Sequence, residues 1–237
     1  MSKAGNPTPN ANRLLAALPT AEYEHLFPKL EQITLTYGEN IYERGEIIRH
    51  VYFPRSGIIS LLAAIEESAA LEVGIIGNEG MVGLAVFLGV KTSNNRAVVQ
   101  GAGLAMKIKT EDFLAECKNG DSLPRLLHRY THSLLTQVSQ SAVCYRFHPI
   151  EARLARWLLM TSDRMQTNEF QLTQEFLSNM LGVRREAVNK SAVTLQQQQL
   201  ISYSRGNMSI INRAELEKIS CLCYGIIKDE EESFPVR

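Results

Sequence analysis

The chain has 237 residues, 25 Lys+Arg against 25 Asp+Glu, and 45% apolar content. That length suits one or two domains with a sizeable core, and no apolar run nears the roughly 18 residues of a membrane helix, so a soluble protein is expected. Taken over the whole chain, zero net charge argues against a nucleic-acid binder.

Residues 1–12 are polar, with two prolines and no apolar signal region, so no secretion is expected. The four cysteines, none before Cys117, form no disulfide framework and fit a reducing cytoplasm. Residues 12–30 read as short helices, with Thr20 expected to cap the second. From residue 33 to about 109, short apolar runs (33–37, 58–65, 71–76, 97–100) lie between Gly38, Gly45, Gly57, Gly77, Gly89 and Gly101. Residues 105–109 alternate with period two. Many short strands punctuated by glycine predict an antiparallel β-roll, or jelly roll.

Thr110 is expected to cap a helix that carries Glu111 and Asp112 in its first turn. From residue 123 to about 147, Leu127, Thr131, Leu134, Val138, Ala142 and Tyr145 fall at steps of three or four. A helix that long, about 37 Å at 1.5 Å per residue, suits a connector or a dimer seam made by Leu127, Leu134 and Val138. Burial against its own barrel is the other open reading, and Gln137 and Ser141 interrupt any coiled coil. Pro149 ends this helix and opens the next, which makes residues 147–149 the expected boundary and hinge. Residues 150–165 form a helix with Leu154, Trp157, Leu158 and Thr161 inward and Glu151, Arg153, Arg156 and Arg164 mostly outward.

Charge is unevenly spread. Residues 1–145 hold 13 basic and 14 acidic side chains, residues 146–213 nine against five, and residues 214–237 three against six. The middle segment is thus at +4 and the end at −3, which gives the middle segment an electrostatic pointer towards an acidic partner.

Residues 172–188 carry the most informative pattern. Thr173 caps a short helix with Phe176, Leu177 and Met180 on its apolar face, and Gly182 supplies a left-handed turn. A second helix follows with Val188, Ala192 and Leu195 inward, which completes a helix-turn-helix. Its outward face shows Arg185, Glu186, Asn189 and Lys190. Arg suits a guanine edge, Glu the cytosine amino group and Asn adenine, while Lys190 suits phosphate. Residues 200–204 and 208–211 alternate around Arg205-Gly206-Asn207, a hairpin wing with a basic tip. An ordinary helical corner with a solvated face is the competing reading, and the wing and regional charge favour DNA.

Thr173-Gln174-Glu175-Phe176-Leu177, Leu181-Gly182-Val183-Arg184-Arg185-Glu186-Ala187-Val188 and Leu200-Ile201 resemble the winged helix of the Crp/Fnr superfamily of bacterial transcription regulators. Leu35 to Gly38, Ile41-Tyr42, Gly45, Val51-Tyr52-Phe53 and Gly57-Ile58-Ile59-Ser60 resemble that family's cyclic-nucleotide-binding-like β-roll. The resemblance covers nearly the whole chain. It implies an α+β protein with flanking helices around the roll, a long connecting dimer helix and a C-terminal winged helix-turn-helix. The expected units are a sensor at 12–121, a dimerisation helix at 122–147, a DNA-binding domain at 148–220 and a tail at 221–237.

By the same resemblance, Arg185 and Glu186 stand where the family reads bases, with Asn189 beside them; Thr173, Arg184, Lys190 and Arg205 are assigned to phosphate. Arg184 replaces the small capping residue common there, which forgoes about 1 kcal/mol. Family members that bind cyclic AMP use Gly-Glu for the ribose and Arg-Ser or Arg-Thr for the phosphate. This chain has Gly83-Leu84 and Arg96-Ala97, so tight cyclic-nucleotide binding is not expected. Glu79, Gly83 and Arg96 are the candidate effector-pocket residues. The expected partners are a pseudo-palindromic double-stranded operator, a second copy of the chain and, for an activator, RNA polymerase; no membrane partner or cofactor is expected.

Other chemistries fit less well. The family's iron–sulfur branch needs an N-terminal cysteine group, which this chain lacks. Cys221-Leu222-Cys223 is too short for the usual zinc spacer and lacks a second pair in sequence, so no metal site is expected. These cysteines read as structural, with redox sensing the alternative. His128 and His132 share a helical face without the Glu of a protease zinc motif and read as a solvated or dimer-face pair. A cupin enzyme needs several histidines on its roll, and residues 33–109 hold only His50. A signalling adaptor whose helix-turn-helix contacts protein is the alternative function; salt dependence separates it from a DNA binder.

Overall fold

The structure, a computed structural model, describes residues 12–66 and 69–233; the polar start and the end of the acidic tail lie outside them. Helices α1 (Arg13–Ala16) and α2 (Thr20–Leu26) precede strands β1 (Glu31–Leu35), β2 (Asn40–Tyr42), β3 (His50–Pro54), β4 (Ile58–Glu66) and β5 (Ala69–Ile76). Helix α3 (Leu84–Phe87) comes next, then β6 (Arg96–Gly101) and β7 (Gly103–Lys109). The strands form two antiparallel sheets, β1-β7-β3 and β2-β6-β4-β5, the expected roll.

The core lies between these sheets, where Leu35, Val51, Phe53, Ile59, Ile76, Val99, Ala105 and Ile108 are buried. Each of these side chains larger than alanine contributes about 1.5–3 kcal/mol by leaving water. Phe113 of α4 (Thr110–Asn119) and Leu123, Leu127 and Tyr130 of α5 (Ser122–Phe147) close the core. Tyr130 lies so close to Gly80 that a Cβ there would sit 2.3 Å from its ring. Neither expected threonine cap forms. Thr20 and Thr110 are first helical residues, and the Thr110 hydroxyl instead donates to Ile48 O at 2.7 Å.

The first part of the apolar stripe on α5 faces the chain's own sensor, whereas Ala142 further along it is exposed. Leu127 is fully buried and Leu134 half-buried against the roll, so Leu127 cannot form a seam with another molecule. Val138 is half-buried, and Gln137 is buried, exchanging hydrogen bonds with the Ile75 backbone at 2.6 and 3.1 Å. The large apolar side chains that α5 leaves exposed are Leu135, Val143 and Phe147.

Helix α6 (Ile150–Met165) departs further from expectation. Its arginines, read as outward, are buried: Arg153 is 6%, Arg156 2% and Arg164 4% exposed. The amphipathic pattern failed because α6 is covered on both sides, by the sensor's β4-β5-β6 face and by the winged helix. One apolar cluster joins Ile58, Leu62, Ile75 and Val98 of the roll to Leu154, Trp157, Leu158, Leu177, Val188 and Leu195. Trp157 Nε1 donates to Glu72 at 2.8 Å, and Arg164 Nε to Glu79 at 3.0 Å.

The winged helix comprises β8 (Glu169–Gln171), α7 (Gln174–Leu181), α8 (Arg185–Gln197), β9 (Ile201–Ser204), β10 (Asn207–Ile210) and α9 (Arg213–Ile219). The supposed tail is largely a helix, α10 (Leu222–Glu232), which packs along α5. Cys223, Tyr224 and Ile227 bury its inner face, and Glu231 pairs with Arg164. Its acidic run is therefore partly structural.

Candidate nucleic-acid interface

The helix-turn-helix is built by local rules. Thr173 Oγ1 accepts the Phe176 N–H at 3.0 Å, which caps α7, and its hydroxyl proton remains free to donate. Gly182 ends α7 at φ +60°, where an L side chain is strained. A Cβ there would also meet Leu71 of β5 at 2.5 Å, so sensor and turn touch directly. Arg184 is the N-cap of α8 and makes no side-chain cap, as its sequence implies.

Val188, Ala192 and Leu195 anchor α8 in the core, each no more than 1% exposed. Ser191 is also buried, and its hydroxyl donates to Glu151 at 3.1 Å. The opposite face leaves Arg184, Arg185, Glu186, Asn189 and Lys190 exposed in one row. Gln174, which the sequence pattern did not single out, sits against this row. Its amide donates to Asn189 Oδ1 at 2.8 Å and its carbonyl accepts from Arg185 Nε at 3.3 Å. The clue was its place directly after the Thr173 cap, as the first residue of α7.

The wing is a two-residue hairpin. Arg205 (φ +50°) and Gly206 (φ +83°) form the turn, and Asn207 pairs with Ser204 as part of β10. Two successive positive φ values match the twist of the flanking strands. The exposed Arg205 therefore stands at the tip, and β8 adds a third strand behind it through β10.

The three effector-pocket candidates do not come together. Glu79 turns to Arg164 and to the Gly77 N–H, and Arg96 turns outward to Asn40 at 2.9 Å. Of the three, Gly83 alone borders a cavity of about 310 Å³ in the roll, with Tyr42, Leu61, Leu84, Ser93 and Leu134 among its other walls. No charged side chain lines that cavity.

The histidine pair also separates. His128 packs edge-on to Phe87, and His132 Nδ1 lies 3.0 Å from Glu230. Cys221 and Cys223, by contrast, gain the second pair that sequence spacing did not reveal, Cys144 and His148.

Two families match the chain. The cyclic nucleotide-binding domain matches residues 32–119, and the Crp-like helix-turn-helix domain residues 152–219. The chain belongs to the Crp/Fnr superfamily of bacterial transcription regulators. That family consists of regulators, not enzymes. Among solved structures, FixK2 from Bradyrhizobium japonicum is similar at TM-score 0.70 and 15% identity, over 81% of this chain and 98% of that one. The c-di-GMP-responsive global regulator CLP of Xanthomonas campestris gives 0.65 and 17%, over 81% and 99%. A CRP-family transcriptional regulator from Thermus thermophilus, TTHB099, gives 0.65 and 19%, over 79% and 96%. At such identities these likenesses establish the fold. No curated protein matches the chain in sequence. Among the described residues no helix is long and apolar enough to cross a membrane.

Proposed function

We propose that this Crp/Fnr regulator binds DNA in the cytoplasm as a homodimer and in a sequence-specific way. The observation that carries this is the exposed polar row on α8, backed by a fully buried opposite face. A helix held so firmly can enter a major groove without losing its shape. Arg185 reads a guanine edge, Glu186 accepts from a cytosine amino group and Asn189 reads adenine. Gln174 holds Arg185 and Asn189 in register until bases replace it. Thr173, Arg184, Lys190 and Arg205 take phosphates and set the helix's position, a role that carries no sequence information itself.

The second copy docks on the large apolar side chains that α5 leaves exposed, Leu135, Val143 and Phe147, extended by Leu222 and Ile226 of α10. The operator is pseudo-palindromic, with half-sites about one helical turn, roughly 34 Å, apart. An activating role would add RNA polymerase as a partner. Any effector enters the uncharged cavity beside α5, whose lining offers no cation for a phosphate. Cyclic nucleotides therefore fit it poorly.

Selection of DNA fragments from a random pool tests this directly. The expected result is an inverted repeat with one-turn spacing, bound with affinity that falls linearly in log salt. Recovery of no enriched sequence, together with salt-independent binding to a protein partner, would instead establish the adaptor alternative.

A further inference from the structure

The geometry points to a single tetrahedral Zn²⁺ site formed by Cys144, His148, Cys221 and Cys223. Their ligand atoms all lie within 4.8 Å of one another. Cys144 Sγ is 3.4 Å from Cys221 Sγ, and Cys223 Sγ is 3.6 Å from His148 Nδ1. Tetrahedral zinc with bonds of about 2.3 Å to sulfur and about 2.0 Å to nitrogen spaces sulfurs about 3.8 Å apart and sulfur from nitrogen about 3.6 Å apart. The cluster already has nearly that size. An iron–sulfur cluster spreads its cysteines around several irons and needs a wider ring.

The elements deliver the ligands in two pairs. Cys144 lies in the last turn of α5 and His148 is its C-cap, four residues on, so both project from one helix end. Cys221 is the N-cap of α10 and Cys223 lies in its first turn, where the helix's positive end favours thiolates. Ala152 of α6 packs on the three cysteines, which are buried. Four protein ligands in such a pocket make a closed site of the structural kind.

A second observation concerns charge. Arg156 is 2% exposed and forms no ion pair with a carboxylate among the described residues. Its Nη1 donates to Met160 Sδ at 3.2 Å and its Nε has no partner. Arg156 lies within electrostatic reach of Cys144 and Cys221. Four neutral ligands would leave this buried cation poorly compensated. Zinc held by three thiolates and a neutral imidazole carries one net negative charge and supplies the missing counter-ion. Binding sends three thiol protons to solvent, and the thiolate electron pairs form the metal bonds. The bound metal pins the start of α10 to the junction of α5 and α6, where sensor and DNA-binding half meet.

The test is metal analysis of the whole chain purified under reducing conditions. The expected content is about one zinc per chain. Cobalt added to the stripped protein should bind once, with visible d–d bands of tetrahedral geometry and a thiolate-to-cobalt charge-transfer band. Cys223→Ser and His148→Ala should each weaken cobalt binding at least about tenfold, while Cys117→Ser leaves it unchanged. Circular dichroism confirms that each variant is folded, and the wild-type cobalt spectrum stands independently of them. A stripped wild type that takes up no cobalt would overturn the proposal. So would full metal content in the Cys221→Ser/Cys223→Ser double variant, or a Cys144–Cys221 disulfide isolated from the native protein.

Discussion

Two sets of cations in the C-terminal half are held in opposite ways. On α6, Arg153, Arg156 and Arg164 are buried. Arg153 donates to Leu181 O and lies 4.8 Å over the Tyr145 ring, and Arg164 is clamped between Glu79 and Glu231. On α8 and the wing, Arg184, Arg185, Lys190 and Arg205 are exposed, and among the described residues only Arg185 of these shows a side-chain hydrogen bond, to Gln174. The sequence counted both sets alike towards +4. The structure assigns the first to holding the winged helix on the sensor and leaves the second for a partner. Regional charge thus overstated the basic surface, while the location of its exposed members strengthened the case for DNA.

The sharpest way to break this comparison is Arg164→Ala. It strands the carboxylates of Glu79 and Glu231 at a buried junction, and loss of one partner from such a network costs about 3–5 kcal/mol. Urea unfolding should show that loss, whereas Lys190→Ala should stay within about 0.5 kcal/mol of wild type. Equal effects from the two variants would erase the distinction.

The second test concerns Glu72, which accepts from Ser60 at 2.6 Å and from Trp157 at 2.8 Å, with no cation hydrogen-bonded to it among the described residues. Burial raises its carboxyl pKa from 4.5 to about 7, against the lowering effect of those hydrogen bonds and of Arg156 and Arg164. The folded state therefore holds this proton more tightly than the unfolded chain. Its contribution is fully present below about pH 4.5, declines as pH rises, and is lost above about pH 7. The change is on the order of 3 kcal/mol. Glu72→Gln should flatten that part of the stability–pH profile relative to wild type; an unchanged slope would remove Glu72 as its source.

On the exposed side, Arg185→Ala should cost about 1–3 kcal/mol on the preferred operator and relax discrimination at one base pair. Its thermal unfolding should match wild type. Unaltered affinity on every sequence would end its base-reading role.

What could be read in the sequence was whatever depends on near neighbours. Thr173 and Gly182 follow from capping and left-handed backbone rules, and the roll from alternation and glycine spacing. The wing followed from two alternating runs about Arg205 and Gly206. What failed depended on distant packing. The arginines of α6 were placed outward because an amphipathic pattern assumes water on one side, and α6 has protein on both. Leu127 was placed at a seam because spacing identifies a stripe without saying which body covers it. Glu79 joined a pocket by proximity in sequence, yet its carboxylate is claimed by Arg164, 85 residues away. Cys144 and Cys221, 77 residues apart, could not be paired by any local spacing.

The smallest expected effect is also the most discriminating between the two cation sets. Lys190→Ala and Arg205→Ala remove exposed charges whose side chains make no ion pair among the described residues. Each should lower affinity on all DNA sequences by a similar factor, because a phosphate contact is blind to the base. Each should also reduce the slope of log affinity against log salt by about 0.9, one condensed counterion per neutralised phosphate. Neutralising a buried α6 arginine cannot produce that signature, since it displaces no counterion from DNA; it would lower stability and leave the salt slope of the folded fraction intact. A salt slope unchanged in both Lys190→Ala and Arg205→Ala would therefore take the wing and the second turn of α8 off the phosphate backbone. The DNA contacts of the exposed row would then be made by its other members alone.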